Sequence, residues 1–217
     1  MKKLTTLLLA IVLLFGAKSF AQAPDTKTAA TILSGVSTKY KAFTAVKATF
    51  TMKTEGSTNK VTDTQAGTVY VKGNKYKLEL ANQEITCDNV KIWTFLKDAN
   101  EVQVNNYEPD EDAITPTQIF TIYEKNFLCG YVEEQTINGK IYQVIEMTPN
   151  DKTKSYFKVR LLIDKTEKTI YSAKVYDKNG NRYTYEITKF TPNPSLVDTY
   201  FTFNAEDHPG VEVVDLR

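Results

Sequence analysis

Histidine is almost missing from this chain: 217 residues contain one, His208. Cysteine occurs twice and tryptophan once. Sites built from several His and Cys ligands, as most zinc sites are, are therefore excluded. A catalytic Cys is disfavoured as well, because His208 sits near the C-terminus in a His208-Pro209-Gly210 turn. An excess of one charge is also lacking. The 27 Lys+Arg and 26 Asp+Glu leave a net charge of +1, which argues against a dedicated nucleic-acid binder. GxSxG, HExxH, GxGxxG and phosphate-binding glycine loops do not occur. Carboxylates are numerous, so a two-carboxylate hydrolase survives on count, but no pair stands out. No metal ligand set, cofactor motif or catalytic group is assigned. What remains abundant is aromatic: 13 Tyr and 11 Phe, in a chain 41% hydrophobic and 24% charged. That is globular composition, with the ring content of a β-rich body.

The N-terminus carries the one long apolar run. Met1-Lys2-Lys3 gives a positive start, Leu4 to Ala17 is apolar, and Ser19-Phe20-Ala21 fits a small-x-small cleavage site. At about 14 residues the run is shorter than the ~20 that span a bilayer. This pattern is a secretory signal peptide at residues 1–21, with Ala23 as the alternative cleavage point. No Cys follows it, so no lipid anchor forms there. Removing Lys2, Lys3 and Lys18 leaves 24 basic against 26 acidic residues, net −2. Residues 22–217 are then one exported domain. Export permits a disulfide between Cys87 and Cys129; two buried free thiols are the alternative.

Asp25 to Phe43 reads as a helix. Ile32, Leu33, Val36, Tyr40 and Phe43 form its apolar stripe, Asp25 or Thr26 caps it, and Gly35 weakens it by about 1 kcal/mol relative to Ala. Period two begins at Val46, where Val46, Ala48, Phe50 and Met52 alternate with Lys47, Thr49, Thr51 and Lys53. Further short runs follow at residues 67–72, 76–80, 92–96, 101–105, 140–147, 156–163, 170–176, 182–190, 200–203 and 211–214. Turn signals separate them, including Gly73-Asn74, Asp88-Asn89, Asn138-Gly139 and Asn179-Gly180. Such spacing means an antiparallel meander that becomes a sandwich or barrel. Thr115 to Phe127 interrupts it: Pro116 suits a first helical position, and Ile119, Phe120, Ile122, Tyr123 and Phe127 are too apolar for an open loop. The segment either plugs a barrel end or forms a movable lid over an apolar cavity. Before it, Glu108-Pro109-Asp110-Glu111-Asp112 reads as a solvated acidic loop, its spacing not that of an EF-hand.

A set of pieces in order is informative. An amphipathic helix leads into Ala48-Thr49-Phe50, then Gly67-Thr68-Val69-Tyr70-Val71 and Asn74-Lys75-Tyr76-Lys77-Leu78. Next come Cys87-Asp88-Asn89-Val90-Lys91-Ile92-Trp93 and Thr115-Pro116, and finally Phe201-Thr202-Phe203-Asn204 and Gly210-Val211-Glu212-Val213-Val214-Asp215. This order resembles the outer-membrane lipoprotein carrier protein (LolA) family of Gram-negative bacteria over nearly the whole mature chain. The resemblance implies an unclosed antiparallel β-barrel with helices as a lid over its concave face. It implies a periplasmic, non-enzymatic carrier without cofactors. Its cavity would hold the acyl chains of lipoproteins taken from an inner-membrane ATP-driven transporter and handed to an outer-membrane acceptor. The chain would act as a monomer, without nucleic acid. Phe50, Met52, Tyr70, Leu78, Trp93, Phe95 and Tyr185 are the expected cavity wall. Leu33, Val36, Ile119, Phe120 and Tyr123 are the expected lid. Period two puts Trp93 on one face with Phe95 and Phe50 with Met52, but does not say which face is concave. One departure is plain. Family members carry an Arg after the second-strand Val-Lys that latches the lid; here Val71-Lys72 is followed by Gly73-Asn74, leaving Lys72 or Lys75 to substitute without the planar donor fork of Arg.

Two readings from other classes stand beside the carrier. A related half-barrel could sense lipid or lipoprotein as an envelope regulator. A polysaccharide-binding module or hydrolase would instead place its aromatics on an open flat face beside a carboxylate pair.

Overall fold

The computed structural model describes residues 23–58, 60–108 and 126–217. The expected signal peptide, most of the acidic loop and all but the end of the Thr115–Phe127 segment lie outside them. So do the lid residues Ile119, Phe120 and Tyr123.

Period two wins over most of the chain. The elements are α1 (Thr26–Lys41), then β1 (Val46–Glu55), β2 (Val61–Lys72), β3 (Lys75–Leu80), β4 (Gln83–Cys87), β5 (Lys91–Leu96) and β6 (Glu101–Asn106). They continue with β7 (Phe127–Ile137), β8 (Lys140–Pro149), β9 (Tyr156–Asp164), β10 (Ile170–Asp177), β11 (Arg182–Pro192) and β12 (Glu212–Asp215). The strands make one 12-stranded sheet in the order β12-β6-β5-β4-β3-β2-β1-β11-β10-β9-β8-β7. Its end strands do not pair, so the sheet is not closed into a barrel. Neighbours are antiparallel except β12, which lies parallel to β6. Residues 200–203 are not a strand: a 3-10 turn, Asp198–Phe201, stands there instead. β4 and β7 are strands that periodicity did not single out. β4 is only five residues long, and β7 carries a register shift between Tyr131 and Glu133 that breaks its alternation.

The helix starts where its capping residue predicts. Asp25 Oδ1 accepts a hydrogen bond from the Thr28 backbone N–H at 3.0 Å, satisfying one orphan donor of the first turn. The same residue bridges to the sheet edge, because the Tyr131 N–H donates to the Asp25 carbonyl at 3.1 Å. The stripe of Ala29, Ile32, Leu33, Val36 and Tyr40 is buried against one face of the sheet. Tyr40 anchors the far end. Its hydroxyl accepts from the Ile170 N–H at 3.2 Å, and burial pushes its pKa up to about 12. Its ring meets those of Phe43 and Phe190, each at 5.7 Å.

Cross-strand partners share a face, so the register sorts the whole sheet into two sides. The side under α1 carries the main core: Val46 and Ala48, Val69 and Val71, Tyr76, Cys87, and then Met147, Leu161 and Ile163. The opposite side has its own smaller core. Phe201 is fully buried there with Phe95, Val102 and Val104, beneath the segment that follows β11. Phe203 and His208 close it, stacking at 4.5 Å with an interplanar angle of 12°. Phe95 meets both, at 5.4 and 4.5 Å. Asp198 fastens this segment: Lys72 Nζ donates to it at 2.8 Å and to the Leu196 carbonyl at 2.8 Å, and Lys75 Nζ donates to it at 2.9 Å.

Two glycines have opposite reasons to exist. A Cβ at Gly67 would lie 2.6 Å from Phe50 Cζ, 2.8 Å from Leu80 Cδ2 and 3.0 Å from the Glu79 carbonyl oxygen. Gly67 therefore lets the Phe50 ring lie across β2. A Cβ at Gly35 would meet nothing nearer than Lys168 Cδ at 3.9 Å, so α1 carries that glycine at a cost without a steric need.

Urea unfolding should separate the two. Gly35→Ala should stabilise the protein by about 1 kcal/mol, whereas Gly67→Ala should destabilise it by about 1–3 kcal/mol through overpacking. The Asp198 clasp should appear in acid. Hydrogen bonds from Lys72 and Lys75 hold its carboxyl well below the ordinary 3.8, at about 2. A depressed carboxylate contributes stability above its unfolded pKa and loses it as pH falls through the folded value. Between pH 4 and 2 the urea midpoint of the wild type should therefore fall more steeply than that of Asp198→Asn; parallel curves would remove the clasp from the account.

Candidate functional site

Among the described residues, the side of the sheet under α1 is the one with an apolar surface running across most of its strands. Its rows follow from the register. Met52 lies between Tyr185 and Gln65; Phe50 lies opposite Gly67, which lies opposite Leu80; Ala48 leads through Val69 and Leu78 to Ile85; and Val46 leads through Val71 and Tyr76 to Cys87. α1 seals the Val46 row and its neighbours. Phe50, Met52, Leu78, Leu80, Ile85 and Tyr185 lie farther out and remain half-buried. The Phe50 and Tyr185 rings stand 6.3 Å apart. Burial, with Tyr183 nearby, raises the Tyr185 hydroxyl pKa. The four rows contain no Asp, Glu, Lys or Arg. Such a surface suits methylene chains: it offers contact area, with few polar groups to desolvate.

A register shift shapes this surface. β1 pairs Thr49 with Lys189 but Phe50 with Ile187, so Thr188 is bulged out and its hydroxyl donates to the Thr49 carbonyl at 3.1 Å. The extra residue keeps Phe50 and Ile187 on the helix-facing side while Phe190 also stays there beside Tyr40.

The expected cavity wall is therefore divided. Phe50, Met52, Leu78 and Tyr185 are together on the helix-facing side. Tyr70, Trp93 and Phe95 are on the other. Tyr70 is paired across the sheet with Lys47 and Lys77, and Trp93 with Thr86 and Val104. Phe95 belongs to the small core under the C-terminal segment, and Tyr70 meets Tyr200 of that segment at 5.0 Å. Register thus separates these three from Phe50, Met52, Leu78 and Tyr185: a strand alternates faces but does not announce which one its neighbours turn inward. Leu33 and Val36 are buried core residues of α1.

Lys72 and Lys75, the candidate substitutes for a lid-latching Arg, grip the C-terminal segment on the opposite face. Cys87 and Cys129 are free thiols. They stand on β4 and β7, on opposite wings of the sheet, and burial raises the pKa of both. Among the described residues no cluster of His, Cys, Asp or Glu could hold a metal ion. Nor is any described helix long and apolar enough to cross a membrane.

Two clefts lie at the β7 edge, one beside α1 and one mainly on the face of the sheet away from it. One of about 610 Å³ lies along α1 and is lined by Leu33, Ser37, Phe127 and Cys129. A second of about 460 Å³ is lined by Pro24, Leu128, Gly130 and Tyr131. Both are within the size range of small-ligand sites, and the first reaches Phe127, the end of the segment expected to form a lid. Periodicity offers no hint of them, because the β7 strand that makes their far wall does not alternate cleanly.

Comparison with known proteins agrees with this architecture. The family model described as outer membrane lipoprotein carrier protein LolA matches residues 41–204. No curated protein sequence matches. An uncharacterised conserved protein of Thermus thermophilus superposes with a TM-score of 0.58 at 11% identity, covering 87% of this chain and 99% of that one. A LolA superfamily protein of Nitrosomonas europaea gives 0.43 at 15% identity, covering 81% and 97%. A chain of the Pseudomonas aeruginosa MucA/MucB complex gives 0.46 at 12% identity, covering 82% and 62%. With a family match over most of its length and a twelve-stranded sheet left open around one helix, this chain belongs to the outer membrane lipoprotein carrier protein LolA family.

Proposed function

We propose that the protein is a periplasmic carrier that shields the acyl chains of lipoproteins on their way from the inner to the outer membrane. The observation that carries this reading is the charge-free, half-buried surface of Phe50, Met52, Leu78, Ile85 and Tyr185 beside α1. Family membership supports it, and the role asks for no catalytic group or cofactor. The N-terminal pattern supplies the route to the periplasm, with cleavage near Ala21 just ahead of the Pro24-Asp25 pair that docks on β7.

Magnitudes constrain the mechanism. Burying a methylene is worth ~0.8 kcal/mol, so three acyl chains with ~40 methylenes would cost on the order of 30 kcal/mol to expose to water. Non-covalent affinities saturate near ~20 kcal/mol. A carrier therefore cannot collect free lipoprotein from solution. It takes cargo directly from a donor that does work, an ATP-driven inner-membrane transporter, and yields it to an outer-membrane acceptor with a better site.

Purification of the exported protein from cells co-expressing a lipoprotein, followed by mass spectrometry of the extract, tests this. The wild type should retain acylated cargo, and its depletion should lower outer-membrane lipoprotein levels. Met52→Glu and Tyr185→Glu should each reduce the retained cargo at least tenfold with an unchanged far-ultraviolet spectrum. No bound cargo, together with normal lipoprotein levels on depletion, would sink the carrier reading. Retention of cargo with normal outer-membrane levels would point instead to the sensing role.

A further inference from the structure

The helix-facing side changes character across the sheet. The row that begins with Ala48, Val69, Leu78 and Ile85 continues into Thr94 of β5 and Gln103 of β6. The next row passes from Cys87 and Ile92 to Asn105. Both rows thus run from an apolar floor to a strip of amide and hydroxyl groups. Thr94, Gln103 and Asn105 are half-buried rather than freely solvated. The cause lies on the other side of the same strands: Trp93, Phe95, Val102 and Val104 face the C-terminal segment, so alternation hands the helix-facing positions of β6 to polar residues.

The strip is uncharged at its centre, and a carboxylate lies on its margin. The Gln103 side-chain amide donates to Glu101 Oε1 at 2.9 Å, which fixes a carboxylate on its margin. No Lys or Arg occupies these two rows. A phosphate placed here would lose water, find no cation within the strip and face that carboxylate, each of which disfavours it; the Lys97 ammonium is held away at the Leu80 carbonyl. Hydroxyl, ester or amide groups would instead find matching donors and acceptors.

We propose that the site takes an amphiphile in one orientation, with its acyl chains over Phe50, Met52 and Leu78 and an uncharged hydrogen-bonding head against Thr94, Gln103 and Asn105. This deepens the carrier reading and rests on it. It makes a diacylglyceryl group a ligand and an anionic phospholipid a poor one. The selectivity comes from hydrogen bonds the head can make and from a charge the strip cannot compensate.

Competition against a fluorescent acyl-chain probe tests it on the signal-free protein, with dioleoylglycerol, dioleoyl phosphatidate and a headless long-chain hydrocarbon as competitors. Dioleoylglycerol should compete at least tenfold better than the phosphatidate. Thr94→Val combined with Gln103→Leu should weaken dioleoylglycerol roughly three- to tenfold, the scale of one or two net hydrogen bonds, while leaving the hydrocarbon unchanged. Asn105→Leu gives the same readout from the next row should the double variant fail to fold. Equal competition by phosphatidate, or an unchanged preference in both variants, overturns the head-group assignment while leaving the apolar site standing. Failure of the fluorescent probe itself, and of the hydrocarbon, to bind overturns the carrier reading along with it.

Discussion

An open sheet of this width has two faces and two edges, and the same chain covers only part of them. Closure would have hidden the edges and turned one face inward. Here the strand order ends at β12 and β7 without their pairing. The N-terminal residues before α1 lay a backbone carbonyl against β7 through the Asp25–Tyr131 bridge. β12 adds itself to β6 at the other end, the one parallel neighbour in the sheet. Between those edges, α1 covers one face and the segment after β11 covers part of the other.

The two covers are built differently. α1 is attached by burial, with its stripe of Ala29, Ile32, Leu33, Val36 and Tyr40 pressed into the main core. The C-terminal segment is attached by rings and charges: Phe201 fills a pocket, Phe203 and His208 stack on Phe95, and Asp198 is held by two lysines. That segment takes up the aromatic side chains of β5, whose helix-facing positions carry Ile92, Thr94 and Leu96 instead. The half-buried part of the helix-facing floor is what remains after each cover has claimed its share.

The same division sends the aromatic surplus to both sides of the sheet. Phe50 and Tyr185 lie on the helix-facing floor. Phe95 and Tyr70 lie on the far side against Phe203 and Tyr200. All four are rings on strands that alternate correctly, and nothing local separates the pairs. The scarcity of His and Cys suits the proposed carriage of lipid, which asks for a surface that does not react with its cargo. Charge is kept to other places, such as the far side, where Lys77 pairs across the strands with Glu84 at 2.7 Å.

The chain by itself determined the elements. Period two located the strands from β1 to β3, β5 and β6 and β8 to β11, the 3.6 period and Asp25 located α1, and the order of its pieces indicated the family. Those signals are local, set by the pitch of a helix or the pleat of a strand. Tertiary structure decided which side of each strand faces the helix, because that depends on register against neighbours and on bulges such as the one at Thr188. It also decided what Lys72 and Lys75 bind, since Asp198 is more than a hundred residues away along the chain. The short β4, the bulged β7 and the 3-10 turn at Asp198–Phe201 were invisible for the same reason: their conformation is imposed by what they pack against rather than by their own pattern.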